Sequence, residues 1–66
     1  MLRLTFYRQQ RGWSKSRLAR EAALNASTVG LIENKRLRPY ATQMVKLATA
    51  LGVPADEDLL AEVSEH

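Results

Sequence analysis

The chain has 66 residues, of which ten are Lys or Arg, seven are Asp or Glu and none is Cys. This length predicts a single domain over residues 1–66 with a small core, and the lack of cysteine excludes disulfides and thiolate metal sites. Residues 1–46 carry a net charge of +8 and residues 47–66 carry −5, an asymmetry that indicates either a surface for a polyanion or simply solvated helix faces.

Helix signals dominate the chain, and the first two predicted helices have clear ends. Residues 2–11 form the first helix, and Gly12 is placed to end it in the left-handed conformation that glycine tolerates. Ser14 is a good N-cap for a second helix at about 15–22, because its hydroxyl can accept a hydrogen bond from a free N–H of the first turn. The residues predicted on its inner face are Leu18, Ala19 and Ala22.

The third and fourth predicted helices follow the same logic. Asn25 is a second N-cap residue and precedes a helix at about 26–33, with Val29 and Ile32 on its inner face. A fourth helix spans about 41–51 and ends at Gly52, which is followed by Val53 and Pro54. The residues predicted on its apolar face are Ala41, Met44, Val45, Ala48 and Leu51.

A fifth, short helix is predicted at 55–63. Its acids, Asp56, Glu57 and Asp58, would lie in the first turn, where the helix dipole favours negative charge. The sequence therefore predicts an all-α protein of five short helices around one core. It has no membrane-spanning run and no signal-peptide pattern, so we expect a soluble, cytoplasmic protein.

Six short segments in this order match a known pattern that covers roughly residues 3–60. They are R-G-W-S at 11–14, L-A-x-x-A at 18–22, L-N-A-S-T-V at 24–29, I-E-N at 32–34, Pro39 and L-A-T-A-L-G-V at 47–53. With these segments the chain resembles the helix-turn-helix domain of the phage Cro/C1 repressor type, also called the Xre family. The resemblance implies a compact five-helix, lambda-repressor-like bundle with its helix-turn-helix at about 15–33. It also implies a small transcriptional regulator that binds double-stranded DNA.

The resemblance carries one structural expectation and two departures. It implies an ion pair between Arg8 and Glu33 that joins the first helix to the end of the third. The family usually has glycine in the turn after the second helix and again after the third, where this chain has Ala23 and Lys35. Alanine is strained if its backbone is left-handed. Because Lys35 stands where glycine usually follows the third helix, that helix must end with Asn34 as its C-cap or adopt another terminal geometry.

The resemblance also implies which residues contact DNA, with the third helix in the major groove. The base-facing residues would be Ala26, Ser27, Gly30 and Leu31. The phosphate contacts would be Ser14, Lys15, Arg17, Thr28, Asn34, Lys35, Arg36 and Arg38. The family usually binds as a twofold dimer, and the candidate dimer contacts are Leu59, Leu60 and Val63. For Leu59 and Leu60, ordinary core packing is an equally good interpretation of the helical period. Leu60 and Val63 are the predicted contacts.

The base-facing set poses a problem, because it contains no Gln, Arg or Asn that could make a two-pronged hydrogen bond to a base. In one interpretation Ala26 and Leu31 press on thymine methyls, Ser27 bonds to any base, and DNA shape supplies the rest. In the other, the chain is a non-catalytic protein-interaction module, such as an adaptor or an antitoxin subunit. The basic residues on both sides of the third helix favour DNA.

An enzymatic function is not expected. The sequence has no Gly-rich phosphate loop, no cysteine and no interior histidine to pair with a serine. The acids at 56–58 lack the alternating spacing of a calcium loop, and the one histidine, His66, is expected to be a solvated tail. We therefore expect no metal, no cofactor and no small-molecule substrate.

Overall fold

A computed structural model describes residues 1–63 of the chain and shows four α-helices. They are α1 (Arg3–Gln10), α2 (Lys15–Glu21), α3 (Ala26–Glu33) and α4 (Ala41–Leu51). The all-α class is confirmed, and the first four predicted helices lie within one residue of their predicted ends. His66 and the solvated tail predicted for it lie outside the described residues.

The core is formed by one face of each helix together with two residues near the ends of the chain. The hydrophobic core consists of the buried side chains of Leu2, Leu4, Leu18, Ala19, Ala22, Val29, Ile32, Leu47, Ala48, Leu51 and Leu59. Every inner residue predicted for the second and third helices is among them. The packing of α2 against α3 therefore fixes the position of the outer face of α3 relative to the rest of the molecule.

The buried face of α4 differs from the prediction. Leu47 is fully buried, whereas Ala41 and Val45 are exposed, the latter at 48%. Met44, Leu47, Ala48 and Leu51 obey the same i, i+3, i+4, i+7 spacing as the predicted stripe, so the period alone did not distinguish two overlapping faces.

Left-handed backbone closes all four helices. Gly12 (φ 68°) and Gly52 (φ 72°) close α1 and α4, as predicted from their type and position. Ala23 (φ 56°) and Lys35 (φ 62°) close α2 and α3, at the two places where glycine was expected. Asn34 is the C-cap of α3, as one of the two predicted alternatives had it, and its φ is −85°, so the left-handed residue is Lys35 directly after it. A side chain at a left-handed residue is strained, so Ala23 and Lys35 are less favourable there than glycine.

The closing turns are nevertheless fully hydrogen-bonded. After α2, the N–H of Leu24 donates to the carbonyl of Ala19 at 2.7 Å, and the N–H of Ala23 donates to that of Arg20 at 3.2 Å. The corresponding bonds close α3, where the N–H of Arg36 donates to the carbonyl of Leu31 at 2.9 Å and the N–H of Lys35 donates to that of Ile32 at 3.0 Å. These bonds satisfy carbonyls that a helix end otherwise leaves without partners, and they hold the left-handed residues in place.

The predicted fifth helix is wrong. Among the described residues, 54–63 form turns and a short extended segment rather than a helix. The carboxylate of Asp58 accepts a hydrogen bond from the N–H of Leu60 at 3.2 Å, a local bond that competes with helix formation. Within residues 1–63, no helix has the length and apolar character required to cross a membrane.

The segment instead pairs with the start of the chain. Leu2 and Glu62 form an antiparallel bridge. The N–H of Arg3 donates to the carbonyl of Ala61 at 2.8 Å, and the N–H of Leu4 donates to that of Leu59 at 3.0 Å. Because α1 has no side-chain cap, these two carbonyls supply the partners that its first turn needs.

Candidate nucleic-acid interface

Of the two predicted N-caps beside the candidate interface, only the cap of α2 makes its side-chain hydrogen bond. The hydroxyl of Ser14 accepts a hydrogen bond from the N–H of Arg17 at 3.0 Å, so the predicted cap of α2 is confirmed. Asn25 occupies the predicted N-cap position of α3, but its side chain makes no capping bond. The prediction was therefore right about where α3 begins and wrong about the bond that Asn25 makes.

The predicted ion pair between Arg8 and Glu33 is confirmed. Nε of Arg8 donates to Oε2 of Glu33 at 2.7 Å and Nη2 donates to Oε1 at 3.0 Å, while Nη1 donates to the carbonyl of Trp13 at 2.8 Å. The two side chains are only 11% and 4% exposed. This two-pronged pair ties α1 to the last residue of α3 and so fixes the end of α3 that leads into the basic segment.

The four residues of α3 that are predicted to face bases are uncharged, and all but one of them have small side chains or none. Ala26 and Ser27 are exposed, Gly30 is half-buried, and Leu31 is 43% exposed. A Cβ added at Gly30 would meet no protein atom within 4 Å. Nothing in the packing requires glycine at this position, although glycine in a helix is less favourable than alanine. Leu31 is therefore the only large side chain among the four.

Basic side chains lie at the start of α2. Lys15 and Arg17 are both exposed. The guanidinium of Arg17 lies over the ring of Trp13, 5.1 Å from its centroid, and its Nε is 3.3 Å from Oε1 of Glu21. Lys15 takes part in none of the ion pairs found within residues 1–63. Arg17 is thus held in place by two neighbours, whereas Lys15 extends from the exposed first turn.

A second group of basic side chains follows α3. Lys35, Arg36 and Arg38 are all exposed. The ammonium group of Lys35 contacts one carboxylate oxygen of Glu62, and the other oxygen lies 3.0 Å from the amino group of Met1. The bonds from Lys35 and then from the amino group of Met1 lower the pKa of Glu62. Arg36 and Arg38 have no ion-pair partner in the described part of the chain.

The two remaining predicted phosphate contacts flank the same surface. Thr28 is half-buried within α3, and Asn34 is exposed directly after it. The structure thus places all the predicted DNA-contacting residues on α2, α3 or the turns beside them. Residues 1–63 contain no cluster of three or more His, Cys, Asp or Glu side chains that could hold a metal ion.

A family model described as a helix-turn-helix domain matches residues 2–62. The chain belongs to this family. The helix-turn-helix domain predicted from the sequence is therefore confirmed.

Two relatives of this helix-turn-helix domain are described as a transcriptional regulator and a transcription factor. The HTH-type transcriptional regulator SutR of Escherichia coli K12 is 45% identical over 47 residues, which cover 71% of this chain and 26% of SutR. A hypothetical transcription factor of Neisseria meningitidis serogroup B is 37% identical over 57 residues, which cover 86% of this chain and 54% of that protein.

One similar solved structure is that of a hypothetical transcription factor, NHTF, from Neisseria. It superimposes with a TM-score of 0.80 at 37% identity, over 86% of this chain and 64% of that chain. The helix-turn-helix domain described here thus spans about a quarter of SutR and about half of the curated Neisseria protein.

The sequence analysis did not identify the exposed apolar side chains, the groove or the ion pair that lie beside the predicted interface. Leu37, at 38% exposure, and Tyr40, at 76%, lie in the basic segment and directly after it. A groove of about 370 Å³ next to them has Leu2, Ile32 and Leu60 among its lining residues. The partnership of Glu62 with Lys35 was also missed, because the two residues are far apart in the sequence and Glu62 was assigned to a helix.

Proposed function

We propose that this helix-turn-helix domain binds double-stranded DNA and regulates transcription, as a member of the Xre type. In this proposal α3 lies in the major groove, and the basic groups at 14–17 and 34–38 contact phosphates on either side. One observation carries it: the exposed face of α3 is uncharged, while exposed cations stand at the start of α2 and after the end of α3. The regulator names of two relatives support the same function. A cytoplasmic location is part of the proposal.

The proposed base contacts are made by small and apolar groups. Ala26 and Leu31 would contact the C5-methyl groups of thymines, and the hydroxyl of Ser27 would bond to base edges of either kind. Gly30 would let the α3 backbone approach closely, because no Cβ stands between the helix and the bases. Specificity would therefore depend on thymine position and on DNA shape.

The proposed phosphate contacts supply most of the affinity. Charged contacts would come from Lys15, Arg17, Lys35, Arg36 and Arg38, and uncharged ones from Ser14, Thr28 and Asn34. Each charged contact releases counterions from DNA, so affinity should fall steeply with salt. These contacts orient the domain without distinguishing sequences.

The experiment begins with selection from random duplexes, followed by anisotropy titrations on selected and scrambled sites across a salt series. Replacing Lys15, Arg36 or Arg38 with Ala should weaken binding to all duplexes and lower the salt slope by about one unit each. Lys46→Ala is the charge-matched control, because Lys46 is exposed on α4 and belongs to neither basic group. Lys46→Ala should change the DNA affinity and the slope of its salt dependence much less.

Leu31 tests base reading separately. Leu31→Ala should lower affinity mainly at sites with a thymine under it, and uracil in place of that thymine should have the same effect, because uracil lacks only the C5-methyl. Uracil should then cost the Leu31→Ala variant nothing further. Equal losses on every duplex would contradict a base contact by Leu31.

The second candidate function is a protein-interaction module, such as an adaptor or an antitoxin subunit, and the exposure of Leu31 at 43% favours it. A wild-type chain that shows no preference among duplexes, and whose weak binding is lost at physiological salt, would exclude sequence-specific DNA binding. The protein module would then replace DNA as the proposed function, with Leu31 at the centre of the interface.

We also propose that the domain forms a homodimer on paired half-sites. Leu60 and Val63 are each half-buried in the single chain, so part of each side chain remains available to a second copy. Leu59, by contrast, is fully buried and belongs to the core. The proposed dimer contact is therefore made by the C-terminal extended segment rather than by a helix.

A further inference from the structure

The contact between Lys35 and Glu62 joins two well-anchored positions. The N–H of Lys35 donates to the carbonyl of Ile32 at 3.0 Å, which fixes Lys35 at the end of α3. Glu62 is fixed by its bridge to Leu2 and by the neighbouring bond from the N–H of Val63 to the carbonyl of Met1 at 2.8 Å. Because both backbones are held, the ammonium and the carboxylate stay close without ordering a loop.

The carboxylate of Glu62 lies among the basic side chains that follow α3. Lys35, Arg36, Arg38 and Glu62 line the same groove, so a single acid is set among three cations. Arg36 and Arg38 are without ion-pair partners among residues 1–63, whereas Lys35 shares the carboxylate of Glu62 with the amino group of Met1. An acid at this place weakens the attraction of the surface for a polyanion.

Lys35 and Glu62 are also accessible, with side chains 63% and 52% exposed. An ion pair in that environment is weak, because water and salt screen it. A DNA phosphate that reaches Lys35 can therefore displace the carboxylate. Displacing the carboxylate costs the interaction free energy of the Lys35–Glu62 ion pair. That cost does not depend on the base sequence of the DNA.

We propose that Glu62 competes with DNA phosphate for Lys35 and so acts as a built-in inhibitor of DNA binding. The inference rests on the proposed DNA-binding function and adds to it a residue that no local pattern assigns to the interface. Glu62 lies on the segment that pairs with the chain start.

The experiment compares Glu62→Gln with Asp56→Asn. Both remove one negative charge, but Asp56 is exposed and takes part in no ion pair of the described region. We expect Glu62→Gln to bind selected and unrelated duplexes about two- to fivefold more tightly at moderate salt, as loss of an exposed pair allows. Asp56→Asn should change affinity much less. Thermal melts establish that each variant is folded at the assay temperature.

A Lys35→Ala background tests the mechanism. There, Glu62→Gln should have no effect beyond that of Asp56→Asn, because the competed cation is gone. A gain of the same size with and without Lys35 would overturn the proposal, since it would show that Lys35 is not the cation for which Glu62 competes. Equal binding by Glu62→Gln and wild type would overturn it and leave the proposed function intact. A wild type that binds no duplex would overturn both.

Discussion

Ala23 closes α2 with left-handed backbone at φ 56°, in the turn that joins α2 to α3. We predict that Ala23→Gly stabilises the protein. The Ala23 side chain is exposed, so its methyl group contributes little to the core. The two hydrogen bonds that close the turn are made by backbone groups, which glycine retains.

The magnitude follows from two opposing effects. Left-handed backbone costs a residue with a Cβ about 1–2 kcal/mol, and glycine removes that strain. Glycine also makes the unfolded chain freer, which costs about 0.4–1 kcal/mol. The expected net gain in the free energy of unfolding is about 0.5–1 kcal/mol. For a domain of this size that corresponds to a rise in Tm of about 2–8 °C.

Urea denaturation and thermal melts followed by circular dichroism measure the change. Ser16→Gly is the matched control, because Ser16 is exposed within the same helix at ordinary helical backbone. It should lower stability by about 0.5 kcal/mol, as glycine does inside helices. If Ala23→Gly melts at or below the wild-type temperature, the strain assigned to Ala23 is wrong.

Three further predictions concern the ion pair, a tyrosine and the dimer. Arg8→Ala strands the buried Glu33 carboxylate, so the free energy of unfolding should fall by about 3–5 kcal/mol in urea denaturation; an unchanged midpoint would contradict this. The hydrogen bond from Tyr7 to Glu57 raises the pKa of Tyr7, so its stabilisation is present below the ordinary tyrosine pKa and lost as the pH rises through the raised one. Tyr7→Phe should lack that loss in alkaline melts, and identical pH profiles would refute it. Val63→Lys should weaken dimerisation more than folding in sedimentation experiments, and a wild type that is monomeric both free and on DNA would end the dimer proposal.

The first four helices could be predicted because their ends depend on residues close in the sequence. Ser14 caps α2 through a bond to a residue three positions later, and Gly12 and Gly52 adopt left-handed backbone that few other residues tolerate. The Arg8–Glu33 pair was reached through the family resemblance. Its buried, two-pronged geometry could not have been read from spacing alone.

The errors arose where distant contacts decide the structure. The acids before Leu59 fit the start of a helix. The segment instead supplies two backbone carbonyls to the first turn of α1 and buries Leu59 in the core, and both interactions depend on contacts distant in the sequence. On α4, two stripes have the same period, and only the surrounding core selects Leu47 over Val45. For the candidate interface, the sequence identified the exposed cations. It did not identify Glu62, which reaches Lys35 only because the chain ends pair.

That pairing has a consequence for how the chain folds. The amino group of Met1 lies 3.0 Å from Glu62, and the carbonyl of Met1 accepts from the N–H of Val63 at 2.8 Å. A short Gly/Ser linker could lead from Val63 to Met1, and the chain could be opened instead in the exposed turn between Ala55 and Asp56. In such a circular permutant, a contact that spans almost the whole sequence becomes a local hairpin. Because local contacts form faster than distant ones, the permutant should fold more rapidly than the natural order of the chain.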